Sequence, residues 1–189
     1  SINLWRTQLH WLGGMGIIVL AVAVLPMLGI GGRQVFRVEV TGPMKETRLT
    51  PRITETAKGL WVVYVLMTIA CVATLFFFGM GFWDALMHAF SVMGLGGFSS
   101  KDASLGHFQS LNLDLTVMFF AFVAGINFST HFLALRGKTW KPYKSDAELP
   151  IYFGGLLLSS VGIAAYLVYF SGSYTNYWQA LHHVSFHAI

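Results

Sequence analysis

The chain has 189 residues, of which 55% are hydrophobic and only 11% charged, with a mean hydropathy of +0.62. Soluble domains are nearer a quarter charged, so the composition excludes one and points to an all-α membrane protein, its buried surface helix against helix and helix against lipid. The net charge of +4 would suit nucleic acid, but the placement of the basic residues argues against that partner, and the lone Cys71, inside an apolar run, rules out an intrachain disulfide.

Four runs are long enough to cross a bilayer, at residues 9–30, 60–82, 113–135 and 149–170. Ser1 is not an initiator methionine and no signal-peptide pattern follows it, so the chain is expected to begin inside a longer protein. Trp5 and Trp11 mark the outer entry of the first run, and Gly13, Gly14 and Gly16 predict close helix packing along it.

The loop at 33–58 follows. It carries Arg33, Arg37, Lys45, Arg48, Arg52 and Lys58. Val35, Phe36, Val38 and Val40 alternate with charges up to Gly42-Pro43, a short amphipathic strand pattern. Thr50-Pro51 reads as an N-cap and first helical residue, so the second helix is expected to start well before its apolar part. A second basic loop at 136–144 carries Arg136, Lys138, Lys141 and Lys144. The two loops hold all of the 12 Lys and Arg except Arg6 and Lys101. An alternating topology puts both on one side, and the positive-inside rule makes that side cytoplasmic.

The opposite, outer side holds the most unusual stretch, WDALMHAFSVMGLGGFSS at 83–100. Its apolar helix covers only about half a bilayer before it reaches a glycine-rich strand, so a re-entrant segment is expected. Non-helical backbone at membrane depth is tolerated where it is buried in protein or lines a watery cavity. A desolvated cation needs oxygen ligands, and backbone carbonyls supply them without a fixed charge. Gly94, Gly96 and Gly97 give the freedom to aim carbonyls at one axis, while Leu95 and Phe98 can pack away from it. The C-terminal end of the short helix, near Val92 and Met93, would turn the negative end of its dipole toward the pore, with Asp84 at the positive end. The candidate ion ligands are the backbone oxygens of Gly94, Leu95, Gly96 and Gly97. The competing reading of the same residues is a helix C-cap and turn, where glycine is common.

The third run carries Asp114 near its outer end and His131 near its cytoplasmic end. Asp114 is a candidate outer-vestibule cation attractor; His131 can snorkel or pair locally. Gly125-Ile126-Asn127 can bend this helix or offer Asn127 to the pore. Gly154-Gly155 in the fourth run predict close packing. After that run, residues 174–189 begin another half-length segment. Met87-His88-Ala89-Phe90 matches Phe186-His187-Ala188-Ile189 at an offset of 99, and Trp83, Ala85, Leu86 and His88 match Trp178, Ala180, Leu181 and His183 at 95. Either offset makes two equivalent pore helices. His182, His183 and His187 also suggest a histidine-ligated metalloprotein or cytochrome, though no carboxylate or thiolate lies nearby in sequence to complete a site.

The chain resembles the Trk/Ktr/HKT superfamily of potassium transporters, most closely the membrane subunits of bacterial Trk uptake. The resemblance is carried by LWRTQLHWLGGMG at 4–16, LTPRITETAK at 49–58, HAFSVMGLGGFSS at 88–100 and the final FHAI, and it covers essentially all 189 residues. It implies membrane helix–pore loop–membrane helix repeats, four around one pore, and places 1–58 as the last helix of repeat one plus a cytoplasmic loop. Residues 59–148 would be a complete repeat two with its pore loop at 83–98, and 149–189 the start of repeat three. It also implies a homodimer with two separate pores, a cytosolic nucleotide-binding regulatory ring of the TrkA type, and a multi-pass place in the bacterial inner membrane. Family filters commonly end in Gly-Phe, which Gly97-Phe98 matches; their Thr-rich strand is replaced here by Gly94-Leu95-Gly96. The function implied is potassium transport, with the ion as transported ligand, no cofactor and no enzymatic chemistry.

Overall fold

The computed structural model describes residues 2–24, 49–172, 174 and 176–188. The expected strand at 33–43, most of the first basic loop and the end of the first predicted span lie outside the described residues. Among the described residues there is no strand. The long helices are α1 (Ile2–Val24) and α2 (Leu49–Phe77), then, past the short α3 (Phe82–Met93) and a 3-10 turn at Ser104–His107, the pair α4 (Leu111–Ala124) and α5 (Phe128–Gly137). Then come α6 (Lys141–Ser145), α7 (Glu148–Tyr169) and α8 (Tyr177–Ala188).

Among the described residues, two helical stretches are long and apolar enough to cross a membrane, Ala57–Phe77 and Glu148–Tyr169; the pair α4 and α5 makes a third if taken as one broken span. Their surfaces agree with a lipid solvent. On α7, Ile151 is 76% and Leu158 75% exposed, an arrangement that water would penalise and a bilayer does not. α2 begins at Leu49, one residue ahead of the Thr50-Pro51 start signal. It stops at Phe77, short of the expected 82. Gly79 takes φ +94, its N–H bonds to the Phe76 carbonyl, and the Met80 N–H bonds to the Leu75 carbonyl. That pair of bonds is a Schellman cap with glycine at the left-handed position.

The third predicted span is two helices meeting at 88°. Asn127 makes the break. Its side-chain oxygen accepts the Ser129 N–H at 3.0 Å and starts α5 as a new helix. At 14 residues, α4 rises about 21 Å, less than the ~30 Å of a hydrocarbon core. Beside the break, Gly125 sits where a Cβ would overlap the Tyr152 hydroxyl of α7.

One core cluster joins α2, α3 and α4 through Cys71, Leu75, Ala85, Ala89 and Val117. A second joins α1 to α2, α3 and α5 through Met15, Tyr64, Met93 and Phe128. The Tyr64 hydroxyl donates to the Trp11 carbonyl (2.9 Å), and Trp11 Nε1 donates to Thr68 Oγ1 (3.0 Å), locking α1 on α2. Of the expected packing glycines, Gly14 is one: a Cβ there would lie 3.0 Å from the Gly94 Cα. Gly13, Gly16, Gly154 and Gly155 have nothing within 4 Å of a would-be Cβ. The third cluster, Ala164, Ala180 and Val184, holds α8 on α7.

The starts of α3 and α8, Phe82 and Tyr177, are separated by the offset of 95. The rival offset of 99 differs by one helical turn, so both alignments put equivalent residues on the same buried face. Helix starts, not burial, separate them.

Candidate functional site

The short helix α3 has an apolar, largely buried face and Asp84 in its first turn. Residues 84, 88 and 91 fall at i, i+4 and i+7, one stripe of a helix. His88 and Ser91 in that stripe are 3% and 2% exposed. All three bind the segment that follows the helix. The Ser100 hydroxyl donates to Asp84 Oδ1 (2.6 Å), and Lys101 Nζ lies 3.3 Å from Asp84 Oδ2. His88 Nδ1 faces the Asp84 carbonyl at 2.7 Å, an atom that can only accept, so Nδ1 carries the proton. His88 Nε2, 2.8 Å from Ser99 Oγ, is then the acceptor of the Ser99 hydroxyl in the neutral ring. Ser99 Oγ in turn accepts the Lys101 N–H at 3.1 Å. Burial alone would raise the Asp84 pKa, but the Ser100 hydroxyl and the Lys101 ammonium outweigh it and hold the carboxyl below its ordinary range.

The chain leaves α3 through a second Schellman cap. Gly94 is the cap residue, the Leu95 N–H bonds to the Val92 carbonyl (3.0 Å), and the Gly96 N–H bonds to the Ser91 carbonyl (2.8 Å). The left-handed position is taken by Leu95, with φ +49, and not by one of its neighbouring glycines. Those glycines answer other demands. A Cβ on Gly94 would lie 2.8 Å from the His10 carbonyl oxygen, and one on Gly96 3.2 Å from the His10 ring. Gly97 has open space but takes φ +66. The cap reading therefore accounts for the turn at 94–96, while 97 and 98 continue as irregular chain. It also ties up the carbonyls of Ser91 and Val92 at the helix end near Val92 and Met93, whose negative dipole end was expected to turn toward the pore.

The Phe98 N–H donates to the Ser91 hydroxyl at 2.7 Å. With the N–H groups of 94, 95, 96 and 98 turned back onto α3, no hydrogen bond among the described residues ends on the carbonyls of Gly94, Leu95, Gly96 or Gly97. Phe98 braces the strand as expected, its ring 4.7 Å from that of His10 and beneath the Arg6 guanidinium at 4.6 Å. Leu95 departs from the expectation that it packs away. It is 54% exposed, because a left-handed residue turns its side chain off the packed helix face.

Two cavities of about 380 Å³ each flank the strand. One lies between the strand, α4 and α8 and is lined by Leu95, Gly97, Phe98, Ser99, Val117 and His187 among others. The second is lined by Gly14, Gly94 and Leu95 at one end and by Asn127 and Glu148 at the other. Leu95 belongs to both, so Gly94 and Gly97 face different cavities. Gly96 lines neither of the two and sits against His10.

The remaining candidates disperse. Asp114, in the first turn of α4, is 3.9 Å from His182 Nε2 across a cavity of about 230 Å³ that His183 and His187 also line. The His183 ring packs on Tyr174 at 5.7 Å. No group of three His, Cys, Asp or Glu gathers as a metal holder among the described residues, so the metalloprotein reading finds no such ligand set there. His131 pairs locally, with the Tyr143 hydroxyl (2.8 Å) and the Val123 carbonyl (2.9 Å). Asn127 both starts α5 and lines the second cavity.

The family model of TrkH, described as a cation transport protein, matches residues 1–153. The chain belongs to the TrkH family. The Trk system potassium uptake protein TrkH of Salmonella typhimurium is 42% identical over 189 residues, 100% of this chain and 39% of that protein. TrkH of Vibrio parahaemolyticus is 49% identical over 150 residues, 78% of this chain and 31% of its own length. The crystal structure of the potassium transporter TrkH from Vibrio parahaemolyticus matches with a TM-score of 0.80 at 38% identity, covering 100% of this chain and 37% of that one. The chain thus spans 39% of the length of a full TrkH relative. The fold class is that of TrkH: membrane helices with a pore loop. Sequence reasoning toward the TrkH site passed over Ser91, Ser99, Ser100, Arg6 and Lys101. The signal available was the 84–88–91 stripe of polar groups on an otherwise apolar half-length helix.

Proposed function

We propose that the full-length protein conducts potassium through a selectivity filter of which 94–97 is one wall. The observation that carries this reading is a four-residue non-helical segment, following a helix too short to span, whose carbonyls have no hydrogen-bond partner among the described residues and which has a cavity on either side. Unpartnered carbonyl oxygens beside watery space suit a cation that must replace its hydration shell. The names of the relatives, potassium uptake proteins of the Trk system, support the choice of ion. In this reading repeat two (59–148) takes most of α2 together with α3 to α6, α1 closes repeat one (1–58), and α7 with α8 opens repeat three (149–189). The ion ligands are the backbone oxygens of Gly94, Leu95, Gly96 and Gly97, and the ring of ligands is completed by the other repeats of the longer protein. The same reading takes the whole protein as a homodimer in the bacterial inner membrane, working with a TrkA-like cytosolic nucleotide-binding subunit and using no covalent chemistry.

The test is Gly97→Asp in the full-length protein, assayed as rubidium uptake under competing sodium in cells lacking other potassium uptake. The substitution sets a side chain on a φ of +66 and a carboxylate beside the ion path. Loss of uptake or of preference for rubidium is expected. Undiminished uptake with unchanged preference would remove the filter assignment.

A further inference from the structure

Ser91 holds the strand twice. Its backbone carbonyl accepts the Gly96 N–H at 2.8 Å and its hydroxyl oxygen accepts the Phe98 N–H at 2.7 Å. The two bonds bracket Gly97, the residue with a left-handed φ of +66 and open space around it. Nothing else in the described structure restrains Gly97 directly. One turn earlier on the same stripe, His88 receives Ser99, the next residue of the strand after Phe98. Both side chains are almost wholly buried, so their bonds are shielded from competing water.

From this we infer that Ser91 and, behind it, His88 are positioning residues that set the ion preference of the filter by fixing the 95–96 and 97–98 peptide planes, which carry the Leu95 and Gly97 carbonyls. The inference rests on the filter reading given above. Discrimination between cations depends on where the carbonyl oxygens stand and how far they can move. A glycine at a left-handed φ can rotate its flanking peptides at little steric cost. Tying the N–H at 96 and the N–H at 98 to one serine limits that freedom, and since each amide shares a rigid plane with the carbonyl before it, the Leu95 and Gly97 oxygens are the ones held in place. A loosened Gly97 would let the oxygens close around a smaller ion. Ser91 touches backbone only, so its contribution is one of position.

The experiment compares full-length wild type, Ser91→Ala, Ser91→Thr, Ser99→Ala and Gly97→Asp, measuring rubidium and sodium fluxes in proteoliposomes and elution and thermal midpoint of each purified protein. Loss of one hydrogen bond's worth of positioning predicts a fall of about fivefold in the rubidium-to-sodium flux ratio for Ser91→Ala. Ser99→Ala shifts the ratio in the same direction. Ser91→Thr keeps the hydroxyl, and Ser91 borders the 380 Å³ cavity where the extra methyl has room, so it restores the ratio. A purely structural role would lower both fluxes in proportion and leave the ratio alone. An unchanged ratio in Ser91→Ala and Ser99→Ala, or a lowered ratio that Ser91→Thr fails to restore in folded protein, overturns the inference. If Ser91→Ala does not fold, Ser99→Ala decides alone by the same criterion. Retained selective uptake by Gly97→Asp would instead remove the filter reading on which this rests, an outcome distinct from wild-type ratios in the serine variants.

Discussion

Gly94→Ala isolates the contact between the pore loop and α1. The backbone of Gly94, at φ −84 and ψ 2, suits alanine, so the substitution carries no conformational strain. The new Cβ would stand 2.8 Å from the His10 carbonyl oxygen, 3.0 Å from the His10 carbonyl carbon and 3.2 Å from the Phe90 oxygen. Ordinary contact begins near about 3.5 Å, so α1 must retreat by roughly 0.7 Å at His10. Those atoms are backbone, which cannot swing aside as a side chain can. Gly14 on α1 is equally tight against Gly94 from the other direction. Overpacking of this kind costs about 1–3 kcal/mol. The lost chain entropy of glycine returns about 0.4–1 kcal/mol, leaving a net loss of up to about 2.6 kcal/mol. Gly13→Ala is the control, since nothing lies within 4 Å of its Cβ and it sits inside α1. Helix propensity predicts that it is neutral or stabilising by up to about 1 kcal/mol. Thermal midpoints of the purified full-length variants decide the matter: Gly94→Ala should melt below wild type and Gly13→Ala at or above it. A Gly94→Ala protein as stable as Gly13→Ala would refute the close approach of α1 to the pore loop.

At the broken span, Gly125→Ala drives its methyl into the Tyr152 ring and should destabilise by about 1–3 kcal/mol. Tyr152→Leu in the same chain should recover part of that loss, and a double-mutant cycle with no coupling between the two would remove the contact. For Asp84, the depressed carboxyl contributes stability above the ordinary value of 3.8 that is lost as pH falls through its lower folded value. Lowering the pH from 6 toward 3 should therefore reduce the melting midpoint more in wild type than in Asp84→Asn, and equal slopes would contradict the Asp84–Ser100–Lys101 arrangement.

Much of the fold was legible because lipid imposes simple rules on composition. A run of about 20 apolar residues must be helical, since every backbone group needs an internal partner, so α2 and α7 follow from residue type alone. The half-length helix and its glycine-rich sequel were readable for the same reason. For the third run the sequence left two options open, since Gly125-Ile126-Asn127 can bend the helix or offer Asn127 to the pore. Asn127 capping α5 and Tyr152 filling the space over Gly125 decided the 88° bend, and Tyr152 lies on α7, well beyond the break in sequence.

By itself, the sequence determined that this is a helical membrane protein with half-length helices beside its spans and a glycine-rich segment at 94–97. Only the tertiary structure assigned each glycine its task. Gly94 and Gly96 are small because α1 lies against them, Gly97 because of its φ, and the left-handed cap fell to Leu95. The three positions look alike in sequence, since the absence of a side chain records neither direction nor neighbour. The stripe of Asp84, His88 and Ser91 was likewise visible only as spacing until the strand folded back onto it. Its partners, Ser100, Ser99 and the Phe98 N–H, are joined to it by geometry that a helical period alone does not specify.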